Sequence, residues 1–243
     1  MRTFPREFSS LLKPAVWSQR KDGHAIAGDR NRLRWFPLAL RRAEAAACLA
    51  QLERVMAPHL RRVLAPVDPD LIKKLKKNYT EALPKTIRNA SIGLNTTRSA
   101  VYAAAKRIGL VEMLSSSSLQ QFAEAVTGFT LYGGPSLQII RYEEGDYVGP
   151  HNDHHPEAPE IRDGYIDLQI TLTQPGVARQ YLLYEAGDGY FNRSCNVGIA
   201  SGVSVSMLPF WHQVTPLEVK PGHADAHRWL LLVSFEIDRR KKG

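Results

Sequence analysis

Two textures divide the chain. Up to about residue 130, apolar positions recur at three- and four-residue intervals. Beyond it they gather in short β-rich runs bounded by Gly, Pro, Asp and Asn. In PLALRRAEAAACLAQLERVMA (37–57), Leu38, Ala45, Leu49, Leu52 and Met56 fall on one stripe with Arg and Glu opposite, which predicts a helix ending near Pro58. A second helix is expected from about Asp68, then a loop through Pro84. SAVYAAAKRIGL (99–110) predicts an Ala-rich helix stopping near Gly109. Ser118, with Gln121 three residues on, reads as a capping box. It opens LQQFAEAVTG, whose Leu119, Phe122, Ala123 and Val126 share a face and whose Gly128 is the stop.

After residue 130 the runs SLQIIRY, DYVG, YIDLQITLT, QYLLYEA, GVSVSML, HQVTPLEV and RWLLLVSFEI read as strands, with a hairpin signal at Asp188-Gly189. So many short strands in roughly 110 residues predict an all-β sandwich or barrel. The fold class is therefore mainly β with a helical N-terminal part (α+β). Residues 1–129 are expected as a mostly helical region packed on a core formed by 130–243, the two making a single integrated domain. The sequence shows no repeat of fixed period.

At 243 residues and 44% hydrophobic, the chain has apolar mass enough for one large domain. No apolar run reaches the ~18 residues of a membrane helix, so no membrane association is expected. The opening MRTFPREFSSLLKPAVW carries Glu7 and lacks an apolar h-region, and is read as mature protein. Cys48 and Cys195 make neither a disulfide framework nor a metal site, which puts the default compartment in the cytoplasm. The net charge of +8 is uneven: residues 1–110 hold 22 Lys and Arg against 8 Asp and Glu, and the rest 10 against 16. A basic half could attract nucleic acid or an anionic substrate. The alternative, which we favour, is solvated helix faces.

The chemistry concentrates in IIRYEEGDYVGPHNDHHPE (139–157). His151 and Asp153 are two apart, so on a strand end both side chains point one way and can converge on a metal. That is two-thirds of a facial triad, which leaves three coordination sites on an octahedral iron. His212, in MLPFWHQVTPLEV, is the candidate third ligand, because a distant strand can return beside the first. Taken alone it reads as a half-buried strand histidine. Arg228 heads the apolar run RWLLLV; buried there, a guanidinium needs an anionic partner, and a dicarboxylate fits its fork. Taken alone, it reads as an arginine snorkelling to solvent at a strand mouth. His154 and His155 are expected in a solvent-exposed or supporting role. His223 and His227 are four apart, but Pro221 and Gly222 oppose the helix an HxxxH site needs.

Together Tyr142, Gly145, Tyr147, His151, Asp153, then His212 and Val214, then Arg228 and Phe235 resemble the 2-oxoglutarate/Fe(II)-dependent dioxygenases, and more narrowly their prolyl-hydroxylase-like branch. The resemblance covers about residues 130–238 and implies a double-stranded β-helix (jelly roll) with supporting helices. It implies His151, Asp153 and His212 as iron ligands, and Arg228 as the anchor of the 2-oxoglutarate carboxylate. Tyr142 would line the 2-oxoglutarate pocket, with its hydroxyl available to the acid. Two departures stand out: one extra residue lies between Tyr147 and His151, and Arg228 follows His212 by sixteen, wider than usual for the branch. Lys220 is the rival anchor.

The implied activity is Fe(II)-, 2-oxoglutarate- and O2-dependent hydroxylation of an unactivated C–H, stimulated by ascorbate and releasing succinate and CO2. The substrate would be a small molecule, amino acid or peptide, and an anionic one is compatible with the basic half. The presence of Asp153 favours hydroxylation, since related halogenases lack that carboxylate. Three alternatives remain: a cupin-like, non-oxidative metal enzyme or sensor; a nucleic-acid demethylase; and a binding module without catalysis. The demethylase branch carries a second arginine six residues after the first, where this chain has Ser234.

Overall fold

The computed structural model describes residues 4–20, 33–66, 86–152, 165–185, 191–208 and 210–237. In chain order the strands are β1 (Leu33–Phe36), β2 (Arg61–Pro66), β3 (Thr86–Gly93), β4 (Leu131–Tyr142), β5 (Tyr147–His151), β6 (Tyr165–Thr173), β7 (Val177–Arg179), β8 (Tyr181–Tyr184), β9 (Arg193–Asn196), β10 (Gly202–Leu208), β11 (His212–Val214), β12 (Glu218–Val219) and β13 (Arg228–Ile237). The helices are α1 (Pro14–Gln19), α2 (Arg42–Gln51), α3 (Ala100–Arg107), α4 (Leu110–Leu114) and α5 (Ser117–Thr127).

The main sheet runs β1-β10-β6-β13-β4-β3-β5-β11-β8-β9, with β2 added to β3 and every pairing antiparallel. β3 pairs with β4 through Ala90–Gly93 and with β5 through Ile87 and Arg88, so it turns the corner between two layers at Asn89. The result is a nearly closed jelly roll, the double-stranded β-helix.

Period-two alternation makes the central strands two-faced. From β6, Ile166, Leu168, Ile170 and Leu172 enter one core; from β13, Trp229, Leu231 and Val233 do the same. The helices cover that face: Phe8, Leu52, Met56, Leu114 and Phe122 belong to the same core. The Phe122 ring meets Phe8 and Phe36 edge-on, each at 5.5 Å. The opposite face of the same strands looks into a cavity, lined by Asp167 and Gln169 of β6 and by Arg228, Leu230, Leu232 and Ser234 of β13. Burial on both faces explains why β13 is apolar almost without break.

The N-terminal part, expected as mostly helical, also carries β1, β2 and β3, which join the sheet. The helix expected over 37–57 begins at Arg42, and Leu38 is exposed with φ +54°. After Gln51 the helix loosens into a π-turn, Leu52–Met56. Ser118 is not the cap of α5. Ser116 holds that position, and the Ser118 hydroxyl donates to Glu7 Oε2 at 2.6 Å and accepts from the Ser9 amide, stapling the N-terminal segment down. Gly128 ends α5 in the left-handed region, as its position in the sequence predicts. The helix expected from Asp68 and the Asp188-Gly189 turn lie outside the described residues, although β8 and β9 do pair antiparallel. Among the described residues no helix is long and apolar enough to cross a membrane.

The π-turn places Glu53 against the head of β13. Its Oε1 accepts from His227 Nε2 and Trp229 Nε1, and its Oε2 lies 3.9 Å from Arg141. Burial alone would raise the Glu53 pKa. The hydrogen bonds from His227 and Trp229, with the charges of His227 and Arg141, outweigh it and hold the pKa below the ordinary 4.5. A carboxylate depressed on folding stabilises above its unfolded pKa, and that contribution is lost as pH falls through the folded value. Glu53→Gln should cost about 1–3 kcal/mol in urea unfolding at pH 7, and its deficit against wild type should shrink once pH drops below 4.5. A deficit independent of pH would mean the carboxylate charge contributes nothing.

Candidate metal and anion site

His151 ends β5 and His212 begins β11, and the register pairs them directly. Both are buried, at 4% and 7% exposure, with ring centroids 4.1 Å apart and planes at 52°. Each ring is held by a carbonyl two residues earlier: His151 Nδ1 to Gly149 O at 2.7 Å, and His212 Nδ1 to Phe210 O at 2.9 Å. A carbonyl only accepts, so Nδ1 carries the proton in both, and Nε2 of a neutral ring presents its lone pair. The Phe210 ring also stacks on His212 at 4.9 Å and fixes its plane.

That donor chemistry suits a divalent transition metal: two imidazoles close enough to share one small cation. Asp153 lies outside the described residues, as do His154 and His155. Among the described residues no cluster of three metal-ligating side chains forms. Cys48 and Cys195 are free and buried; burial raises their thiols to about 12 and about 11, with Glu44 adding to the first. Neither thiol is in the state that binds metal at neutral pH.

Arg228 lines the same cavity, of about 530 Å³, as His151 and His212. Its side chain is fully buried; Nε donates to Gln180 Oε1 at 2.7 Å and Nη1 to Thr171 Oγ1 at 3.3 Å. The Tyr142 ring lies 4.5 Å below the guanidinium, and the register makes Tyr142 its Cα partner. Burial pulls the Arg228 pKa down to about 10, which the nearby Tyr142 oxygen opposes, and the group remains a cation at neutral pH. Among the described residues no carboxylate stands within ion-pair reach of it. A buried cation facing a cavity with only neutral neighbours is a socket for an anion. The rival Lys220 is exposed and donates to Pro175 O, away from the cavity.

Sequence reasoning missed the supports. Gln180 is fully buried, and its Nε2 donates to the carbonyls of Asp146 and Thr215, which aims its Oε1 at Arg228. No motif flags that glutamine. Thr171 is within the reach of pattern: strict alternation in YIDLQITLT puts residues 167, 169, 171 and 173 on one polar face. His227 is engaged by Glu53.

No family model matches this chain, and no curated protein matches it. Solved structures do share its fold. One is a prolyl-4-hydroxylase from Pseudomonas putida, 14% identical, TM-score 0.52, covering 91% of this chain and 98% of that one. Another is the non-heme alpha-ketoglutarate-dependent epimerase SnoN of nogalamycin biosynthesis, 14% identical, TM-score 0.54, covering 92% and 84%. At such identity the likeness is one of fold, aligned over nearly the full length of this chain.

The histidine geometry makes its own prediction. A Cβ added at Gly149 would stand 2.3 Å from Thr86 Oγ1 and 3.4 Å from the Thr86 carbonyl on β3. Gly149→Ala must displace the Thr86 side chain or push β5 away from β3, and the second moves the carbonyl that orients His151. Overpacking of this kind costs about 1–3 kcal/mol, readable as a lowered urea midpoint. An unchanged midpoint would mean that β5 yields freely and does not hold the ring in place.

Proposed function

We propose that this chain is an Fe(II)- and 2-oxoglutarate-dependent oxygenase that hydroxylates a small-molecule, amino-acid or peptide substrate. The observation that carries the reading is Arg228: a fully buried cation, without a carboxylate partner among the described residues, in one cavity with two histidines in the metal-binding tautomer. The shared fold of a prolyl-4-hydroxylase and an alpha-ketoglutarate-dependent epimerase supports it.

In this reading His151, His212 and Asp153 hold the iron. When bound, iron with 2-oxoglutarate and O2 supplies the oxidising power, and the oxo-acid leaves as succinate and CO2. The chain's own part is positional. Arg228 takes the distal carboxylate in its fork, and Gln180 and Thr171 fix the plane of that fork. Tyr142 supports the guanidinium from below, and in this reading its hydroxyl donates to the acid. Ile140, Val148, Val214 and Leu230 line the same cavity and exclude water, which strengthens each polar interaction. Asp153 as a third protein ligand favours hydroxylation over halogenation. Ascorbate would serve as a stimulating reductant.

The test is O2 uptake coupled to succinate release in a substrate screen with iron, 2-oxoglutarate and ascorbate. His151→Ala should abolish iron binding and turnover together. Arg228→Ala should raise the 2-oxoglutarate requirement by roughly 10² or more with iron affinity nearly intact, since a guanidinium–carboxylate fork in a dry pocket is worth about 3 kcal/mol. Arg228→Lys should rescue only in part, because an ammonium cannot reproduce the fork. If Arg228→Ala leaves the 2-oxoglutarate dependence untouched, Arg228 is not the anchor; if neither Arg228→Ala nor Lys220→Ala matters and no 2-oxoglutarate dependence is found, a non-oxidative cupin-like activity becomes the better reading.

A further inference from the structure

Arg228 is the first residue of β13, so the socket hangs on the strand's end rung. Its Cα partners are Tyr142 of β4 and Thr173 of β6, and both ladders of β13 begin there. An end rung frays more readily than an inner one, because it is braced from one side only. Yet a guanidinium that takes a carboxylate in its fork has to keep its place to within about 0.5 Å. The ladder alone does not provide that.

The residues on either side of Arg228 reach one atom on the helix-covered side of the sheet. Glu53 Oε1 accepts from His227 Nε2 and from Trp229 Nε1. Its Oε2 lies 3.9 Å from Arg141 of β4, the Cα partner of Trp229. One carboxylate thus clamps both strands at the rung next to the socket. Behind it, the His227 amide donates to Gln174 Oε1 at 3.0 Å, and the His227 carbonyl accepts from the Gln174 amide at 3.2 Å. The main chain entering the rung is therefore closed as well. Glu53 is delivered by the π-turn Leu52–Met56, whose two end residues are fully buried. Such π-turns interrupt the regular helix and recur at functional sites. Glu53 itself lies outside the cavity lining.

Resting on the oxygenase reading above, we propose that Glu53 is a positioning residue for 2-oxoglutarate. It holds the end rung of β13 from the outer face and so sets the aim of Arg228 on the inner one. Through it the helical layer contributes to co-substrate affinity from outside the cavity.

The measurement is the 2-oxoglutarate affinity of the full chain loaded with Mn(II), by calorimetry, with Mn(II) affinity read separately. Glu53→Ala should weaken 2-oxoglutarate by about three- to thirtyfold, the range of a residue acting through another, and leave Mn(II) affinity unchanged. Glu53→Gln keeps an acceptor and should restore part of the loss. In an Arg228→Ala background Glu53→Ala should have no further effect, because the group it aims is gone. Phe122→Leu loosens the helix-covered core without removing a partner of Glu53, and controls for lost stability. It should leave 2-oxoglutarate affinity as it is. If Glu53→Ala does not fold, Trp229→Phe removes one of the two donors and should weaken 2-oxoglutarate by a smaller factor. If the Glu53 and Trp229 variants leave the affinity unchanged, if their effect persists without Arg228, or if Phe122→Leu matches it, this proposal falls and the oxygenase reading stands. If 2-oxoglutarate does not bind wild type at all, both fall together.

Discussion

The interior is organised around the burial of one positive charge. Moving a guanidinium out of water is expensive, and Arg228 meets that cost with neutral dipoles and a ring face where a carboxylate would have been the usual answer. Those partners are themselves held. Gln180 reaches Arg228 because its amide nitrogen is tied to the carbonyls of Asp146 and Thr215. Asp146, fully buried in the turn between β4 and β5, takes both Arg62 and Arg88 on its carboxylate and accepts the Glu143 amide at 2.9 Å. The socket is thus tied by hydrogen bonds to β2, β3 and the turn that launches the histidine-bearing strand. Gly145 in that turn has φ +76°, which the turn requires and which side chains disfavour.

The two-faced strands explain how one sheet serves stability and chemistry at once. Odd-numbered positions of β13 and even-numbered positions of β6 lie in the helix-covered core; their neighbours face the cavity. A one-residue slip of β13 would carry Arg228 into the apolar core and Trp229 into the cavity, and a slip of β6 would do the same to Asp167 and Leu168. Register is therefore fixed by the hydrophobic pattern, and the site geometry follows from that register. The bulge between Ser234 and Glu236 falls past the last polar row, where the sheet no longer has to hold alternation.

Legibility in the sequence follows the reach of local pattern. YIDLQITLT, GVSVSML and RWLLLVSFEI coincide with β6, β10 and β13, because alternation or a continuous apolar run bounded by turn residues is a local signal. The residues His151, His212, Arg228 and Tyr142 share a cavity in the structure, and each stands out in the sequence by type and position in a strand. β1 and β2 are invisible to such patterns because RLRWF and RRVLAP carry arginines that read equally well as helix surface. Their membership in the sheet comes from β10, far away in sequence from β1, and from β3, which pairs with β2. Gln180 is invisible for a related reason: its role is set by two carbonyls from distant turns.

The charge asymmetry takes on a different meaning once the fold is known. Arg62 and Arg88 come from the basic N-terminal half, and both turn to the acidic turn of the C-terminal half, meeting Asp146 and, from Arg62, Glu143. Glu53, from the N-terminal half, answers Arg141 and His227 of the other. Most of these side chains are partly exposed, and such pairs add little stability singly. Around the fully buried Asp146, however, they decide whether a carboxylate can sit beneath the socket at all. Arg62 and Arg88 are engaged in closing the barrel's corner. The same carboxylate that draws them in orients the turn carbonyl on which Gln180, and through it Arg228, depends.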